Sequence, residues 1–289
     1  MRIAVGFKVM PDFEALRAAD WARVAAAEGP EGRAEATRYV RRVLGVFDEA
    51  ALELALRLRD ARAESGLPTH LAAFTVGGPD ASPFLHTLQA LGFDCARLDP
   101  GAGPASADGS AGMTDALDFA PAATAALVAA CAQRLGGDVL LLGARGGPAG
   151  SGTVPFLAAE ALGRPCVTCV TGIEPAGADR LRVSFVADDG PLRALAVPPC
   201  VLAVGNAVVS TLRVPTLKDR LAVRDVPVGQ FTAADLDVEG EPALDGAPVL
   251  RTLDPVDRRR AGIVVPGATP AEQARVLYDD HLRARLEAV

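Results

Sequence analysis

The stretch from Asp138 to Thr168 constrains the fold more than any other part of the chain. Val139 to Leu142 is a continuous apolar run, too short for a helix and bounded by glycines, as in a strand buried on both faces of a parallel sheet. Gly143 to Gly152 then holds five glycines and one proline, so its backbone can bend sharply and approach a ligand closely. A helical period resumes from Thr153 to Leu162, with Val154, Leu157, Ala158 and Leu162 on one stripe, until Gly163 and Pro165 stop it. Strand, glycine-rich loop and helix N-terminus in that order make an anion site, because unpaired N–H groups and the positive end of the helix dipole face one point. The loop is neither the six-residue dinucleotide fingerprint nor a P-loop, since no Gly-Lys-Ser/Thr follows it. It points to a phosphate-bearing ligand without naming one.

At 289 residues the chain can bury a sizeable core, as one large domain or one domain with an appendage. Half of the residues are hydrophobic but only 4% are aromatic, so the core is built from Ala, Val and Leu, as in many helix-covered parallel sheets. A net charge of −7 argues against nucleic acid or an anionic membrane as main partner. No apolar run approaches the ~20 residues needed to span a bilayer. Residues 1–9 lack a signal peptide's basic-then-apolar order and read as a strand, so the expected location is cytoplasmic without membrane insertion. Five cysteines, an odd number, suit a reducing compartment. Cys166-Val-Thr-Cys169 has redox or zinc spacing, but neither a second pair nor a nearby histidine accompanies it. These two are expected to be buried structural cysteines of a strand, pointing to opposite faces.

In chain order, Arg2 to Lys8 reads as a first strand ended by Pro11-Asp12, and residues 14–44 as helical and partly exposed. Glu49 to Ala63 is an amphipathic helix with Ala51, Leu52, Ala55, Leu56 and Leu58 inside and Glu53, Arg57, Arg59 and Asp60 outside. Leu71 to Val76 is the second strand, residues 82–91 a helix, 96–98 a short strand, 99–117 a flexible loop and 121–135 a helix. Strand and helix thus alternate, which predicts a doubly wound, mostly parallel, Rossmann-like α/β sheet. Ligands of such sheets bind outside the carboxyl ends of the strands, here Gly6 to Asp12, Val76 to Pro79 and the glycine loop. After Thr168 come short strands at 181–186, 192–197 and 201–204. Residues 210–262 show no strong period, and a last helix is expected near 271–286. That division predicts a nucleotide-binding domain over 1–209 and an arm over 210–289 lying on another subunit.

No reaction centre emerges. The three histidines, His70, His86 and His281, are expected in loops or helices far in sequence from the glycine loop, and Ser151 lies in Gly-Ser-Gly rather than a nucleophile elbow. Asp188-Asp189 and Asp279-Asp280 read as solvated pairs, because acid–base work needs a shielded pair with separated pKa values. Lys8 at a strand end can pair either a phosphate or a surface acid. No metal cluster is evident. A binding or carrier role is expected rather than a self-contained enzyme.

Several stretches together resemble the beta subunit of electron transfer flavoproteins. The opening Met1 to Asp12 is similar to that family's first strand, ending in Lys and followed by Pro-Asp. Phe47 to Asp60 resembles its aromatic helix start, Phe74-Thr-Val-Gly-Gly-Pro79 and Leu88 to Asp94 its second strand and following helix, and Gly143 to Thr168 its central loop. Pro215-Thr-Leu217 resembles the loop that meets electron donors. The resemblance implies a heterodimer with an alpha subunit that carries redox-active FAD, and AMP, or a second FAD in bifurcating members, bound by the beta subunit. Carried over by position, the nucleotide contacts would be Gly6, Lys8, Asp48, Gly77, Leu142, Gly143, Ser151, Gly152, Thr153 and Val154. Phe13 and Phe47 would lie against the alpha-subunit flavin or pack as ordinary interface aromatics, and Leu217 would dock a flavin-dependent dehydrogenase.

The chain departs from the family pattern at Gly45-Val46, Pro148, Gly150, Thr153, Ser184-Phe185 and Lys218-Asp219. Two other readings share the strand–loop–helix scheme: a stand-alone adenine-nucleotide sensor similar to universal stress proteins, and a beta-like scaffold that has lost its nucleotide. The segment beyond Ser210 favours a subunit over a compact sensor.

Overall fold

In the computed structural model, the described residues are 1–27, 32, 35–99, 117, 119–147, 150–236 and 262–287. The chain forms two compact units, Met1–Leu253 and Asp254–Val289. The first unit contains β1 (Arg2–Gly6), β2 (Val9–Pro11), α1 (Ala18–Ala26), β3 (Arg42–Leu44), α2 (Val46–Glu64), β4 (His70–Val76), α3 (Ser82–Ala90) and β5 (Asp94–Asp99). It continues with α4 (Pro121–Arg134), β6 (Val139–Gly143), α5 (Val154–Ala161), β7 (Cys166–Pro175), β8 (Leu181–Ala187), β9 (Gly190–Ala196), β10 (Cys200–Val204), α6 (Leu217–Ala222) and β11 (Gly229–Thr232).

A nine-stranded sheet has the order β11-β5-β4-β1-β6-β10-β7-β8-β9. Every pairing from β11 to β7 is parallel, and the β7–β8 and β8–β9 pairings are antiparallel. The apolar runs explain the centre: β1, β6 and β10 are flanked by strands on both sides, and helices bury their two faces. Alternate residues go to opposite faces. Ile3, Val5 and Leu141 join the cluster under α2 and α3, whereas Ala4, Leu140 and Leu142 join the one under α4 and α5. Helices therefore cover both sides, as a doubly wound sheet requires. No helix among the described residues is long and apolar enough to cross a membrane.

The long helix α2 ends where Gly66 adopts φ +69°, and the Gly66 and Leu67 N–H groups return to the carbonyls of Ala63 and Arg62. That is a glycine-terminated cap, which frees the chain to turn into β4. The strand order reverses at β1. The chain moves outward from β1 to β4 and β5, then returns to place β6 on the other side of β1. The crevice at the carboxyl ends of β1 and β6 is the topological switch point.

Four sequence expectations change. Residues 14–44 are not one helical stretch: α1 is followed by β3, which pairs antiparallel with β2 in a two-stranded ribbon. His70 begins a strand rather than lying in a loop or helix. Within 210–262, Gly229–Thr232 extends the sheet in parallel beyond β5, because Gly229 allows its backbone to lie against Cys95 and Ala96. Cys169 is exposed at φ +52°, beside the register shift between β10 and β7, so it is not a buried structural cysteine. The loop expected at 99–117 falls, apart from Asp99 and Leu117, outside the described residues, as do residues 237–261 of the expected arm. In the second unit, Pro270–Leu277 is helical and passes through a wider turn at Tyr278–Leu282 into Arg283–Leu286.

Candidate nucleotide site

Asp48 organises the switch point. It is the third residue of α2, and the helix begins immediately after Gly45, whose extended backbone serves as N-cap. The carboxylate accepts the Gly45 N–H, which satisfies the donor of the N-cap residue. It also accepts the Lys8 N–H at 3.3 Å, just beyond β1, and the Gly143 N–H at the end of β6. One buried side chain thus ties together β1, β6 and α2. Burial pushes its carboxyl up to about 7, against the lowering effects of the Lys8, Gly143 and Gly45 N–H groups and of the Lys8 charge.

The glycines around it are fixed by steric contact rather than by turn geometry alone. A Cβ on Gly143 would lie 2.4 Å from Asp48 Oδ1 and 3.2 Å from the Phe47 carbonyl carbon. On Gly6 it would lie 2.6 Å from Leu142 Cδ2, which is where the buried Leu142 side chain points. The glycine loop passes over this centre with Lys8 beside it. A Cβ on Gly147 would be 3.1 Å from Lys8 Nζ, so the ammonium sits at the loop.

The loop then folds back. Gly152, at φ +71°, brings its backbone against Ala144 O and the Arg145 side chain. Ser151 Oγ accepts the Thr153 N–H at 3.3 Å and shares a 2.8 Å hydrogen bond with Thr153 Oγ1. Val154 opens α5, with Pro155 in its first turn, where a missing N–H is harmless. At the neighbouring strand β4, a Cβ on Gly77 would meet nothing within 4 Å, which leaves that strand end open.

These residues suit a phosphate-bearing ligand. The backbone comes close because side chains are absent, Lys8 supplies a cation, and the α5 N-terminus supplies the positive dipole end. Burial raises the pKa of the nearby Asp48 carboxyl, which weakens its ionisation and so its repulsion of an anion. Asp48 and Leu142 lie beneath the loop, and both are buried and engaged with protein. Gly6, Lys8, Asp48, Leu142, Gly143 and the loop are brought together.

Of the other expected residues, Phe47 has its backbone against Gly143. Phe13 stacks on Trp21 at 5.9 Å, and Phe47 is half-buried in the first turn of α2. Leu217 stands exposed on α6, which packs against α3. Reading the sequence missed Glu53. The helical period places it outside, yet it is 3% exposed and gripped by Arg213 from 160 residues away. No local pattern carries that pairing.

No protein-family model matches the chain. It is 31% identical over 290 residues, 99% of its own length and all of the relative's, to a protein of Escherichia coli (strain K12) named as electron transfer flavoprotein subunit YgcR. It is 28% identical over 244 residues, 81% of its length and 84% of the relative's, to the electron transfer flavoprotein subunit beta of Bacillus subtilis (strain 168).

Proposed function

Because this chain belongs to the electron transfer flavoprotein subunit family, as a divergent beta-like member, we propose that it is the nucleotide-binding half of a heterodimeric electron carrier. Its partner is an alpha subunit that holds FAD, and its own site takes AMP. The observation that carries the nucleotide reading is the alignment of Lys8 Nζ with the glycine loop above the Asp48-tied strand ends. A single phosphate needs one cradle, and the loop with the α5 N-terminus supplies one. FAD, when bound, supplies the electron storage; the residues of this chain bind, orient and shield.

Residues 1–209 hold the nucleotide, and 210–289, apart from the sheet strand Gly229–Thr232, supply a docking loop and an arm for partners. The outer edge of β9 supports an alpha partner, since it is unpaired among the described residues and exposes Leu192 and Leu195. Leu217, 73% exposed, supports a docking role toward an electron-donating flavin dehydrogenase.

The test is to denature the purified complex and quantify the released nucleotides by chromatography. One FAD with one AMP is the expected result. Two FAD would make this a bifurcating subunit, and one FAD alone would make it a scaffold that has lost its nucleotide. Separately, Leu217→Ala is expected to slow reduction by the electron-donating dehydrogenase without releasing flavin, since an apolar anchor in a partner pocket contributes about 2 kcal/mol. Unchanged electron transfer would remove the docking assignment.

A further inference from the structure

Residues 213–228 run along the surface of the first unit, with α6 packed on α3, and their crossings onto and off that surface are both held by side chains from the helices that cover the sheet. At the first, Arg213 is gripped by Glu53 of α2: its backbone N–H donates to Oε2 at 3.1 Å, Nε to Oε1 and Oε2 at 3.2 and 3.1 Å, and Nη2 to Oε1 at 2.9 Å. Its Nη1 donates to Asp60 at 2.7 Å. Pro215, two residues on, is buried. At the second crossing, Gln89 of α3 donates through Nε2 to the carbonyls of Pro227 at 3.1 Å and Val226 at 3.5 Å. The His86 ring lies 3.0 Å from Gln89 Oε1. Leu212 and Val228, just outside the clamps, pack on the core.

Between the clamps stands α6, opened by a capping box in which Thr216 and Asp219 exchange hydrogen bonds. Val214, Leu217 and Leu221 are 80%, 73% and 59% exposed. Leu217 and Leu221 are one helical turn apart and share a face. Lys218, Arg220 and Arg224 flank them against Asp219 and Asp225, giving a locally basic surface on a chain of net charge −7. An exposed apolar knob that floated freely would lose ordering entropy on binding, whereas one tethered at both ends has already lost it.

We propose that Glu53 and Gln89 are positioning residues that hold 213–228 as a fixed interaction helix, presented to a partner protein through an apolar pocket with an acidic rim. The role of that helix rests on the docking reading given above; the clamps are tested independently of it. The experiment is hydrogen–deuterium exchange on the full chain, purified with its partner subunit, as wild type, Glu53→Gln, Arg213→Ala and Gln89→Ala. Peptides from 214–219 in the first two variants, and from 221–228 in the third, are expected to exchange at least about tenfold faster, with β1 and β6 unchanged. Trypsin cleavage at Lys218, Arg220 and Arg224 should accelerate in step. The double variant Glu53→Gln/Arg213→Ala should add little to either single change, as for partners in one contact. Unchanged exchange in 214–228, or a rise spread evenly over the chain, would overturn the proposal. The Leu217→Ala measurement strikes only the docking reading, so the two can fail separately.

Discussion

Two buried carboxylates stand five positions apart on α2 and behave in opposite ways. Asp48, at the first turn, faces backbone N–H groups and a glycine loop, and burial leaves its carboxyl at about 7. Glu53 also exposes little surface, and burial works against its ionisation too, yet the Arg213 side chain and N–H, with Arg57, outweigh it and hold the group below its usual range. Low solvent exposure alone therefore does not fix the protonation state: Asp48 lies deeper with backbone N–H partners, and Glu53 has guanidinium groups against it that compensate its charge. Arg213 shows the reciprocal effect, its own pKa raised by Glu53. The first arrangement leaves a centre that tolerates a neighbouring anion, and the second makes a rigid tether.

The comparison can be broken most severely at Gly143. Gly143→Ala would drive a methyl into Asp48 Oδ1 and against the Phe47 backbone, and neither the helix start nor the strand end can yield. A loss of about 3 kcal/mol or more is expected, read as a fall in the denaturant midpoint.

A slightly smaller effect comes from pH. The folded pKa of Asp48 lies above its unfolded value of 3.8, so the folded state binds the extra proton between them. Its contribution is fully present below the unfolded pKa and is lost as pH rises through about 7. Stability should therefore fall by roughly 2–3 kcal/mol from this group between pH 5 and pH 8. Asp48→Asn, which cannot ionise, should flatten that slope, and equal slopes in the two proteins would show that the centre carries no such charge penalty.

Glu53 sharpens the contrast from the other side. Its folded pKa is depressed, so its contribution is present above the unfolded value of 4.5 and is lost as pH falls through the folded one. Glu53→Gln should cost about 1–2 kcal/mol at neutral pH and less in acid, measured by denaturant titration at both. The smallest change is expected at Asp60, whose side chain is 44% exposed while binding the same Arg213. Asp60→Asn should cost no more than about 0.5 kcal/mol. A loss as large as that of Glu53→Gln would mean that the arginine, rather than the buried acid, anchors the segment.

Much of this molecule was legible in its residues. The apolar run Val139–Leu142, the glycine loop and the period of α5 each declare a local conformation, since each is set by contacts between near neighbours in sequence. Their alternation with other strands and helices points to a candidate site at the ends of β1 and β6. The sequence alone thus determined the sheet, the loop and the residues Gly6, Lys8 and Gly143 that meet there.

Only the tertiary structure decided that Asp48 lies beneath the site, that Glu53 faces inward, and that Gly229–Thr232 closes one edge of the sheet. A helical period assigns an acid to the solvent side by default. It cannot register an arginine 160 residues away that arrives to cover it. Gly229–Thr232 likewise has too few residues to show a period, and it is a strand because the β5 edge offers its backbone hydrogen bonds. Interactions between segments distant in sequence leave no spacing to read, because the chain fixes their order while packing alone fixes their distance.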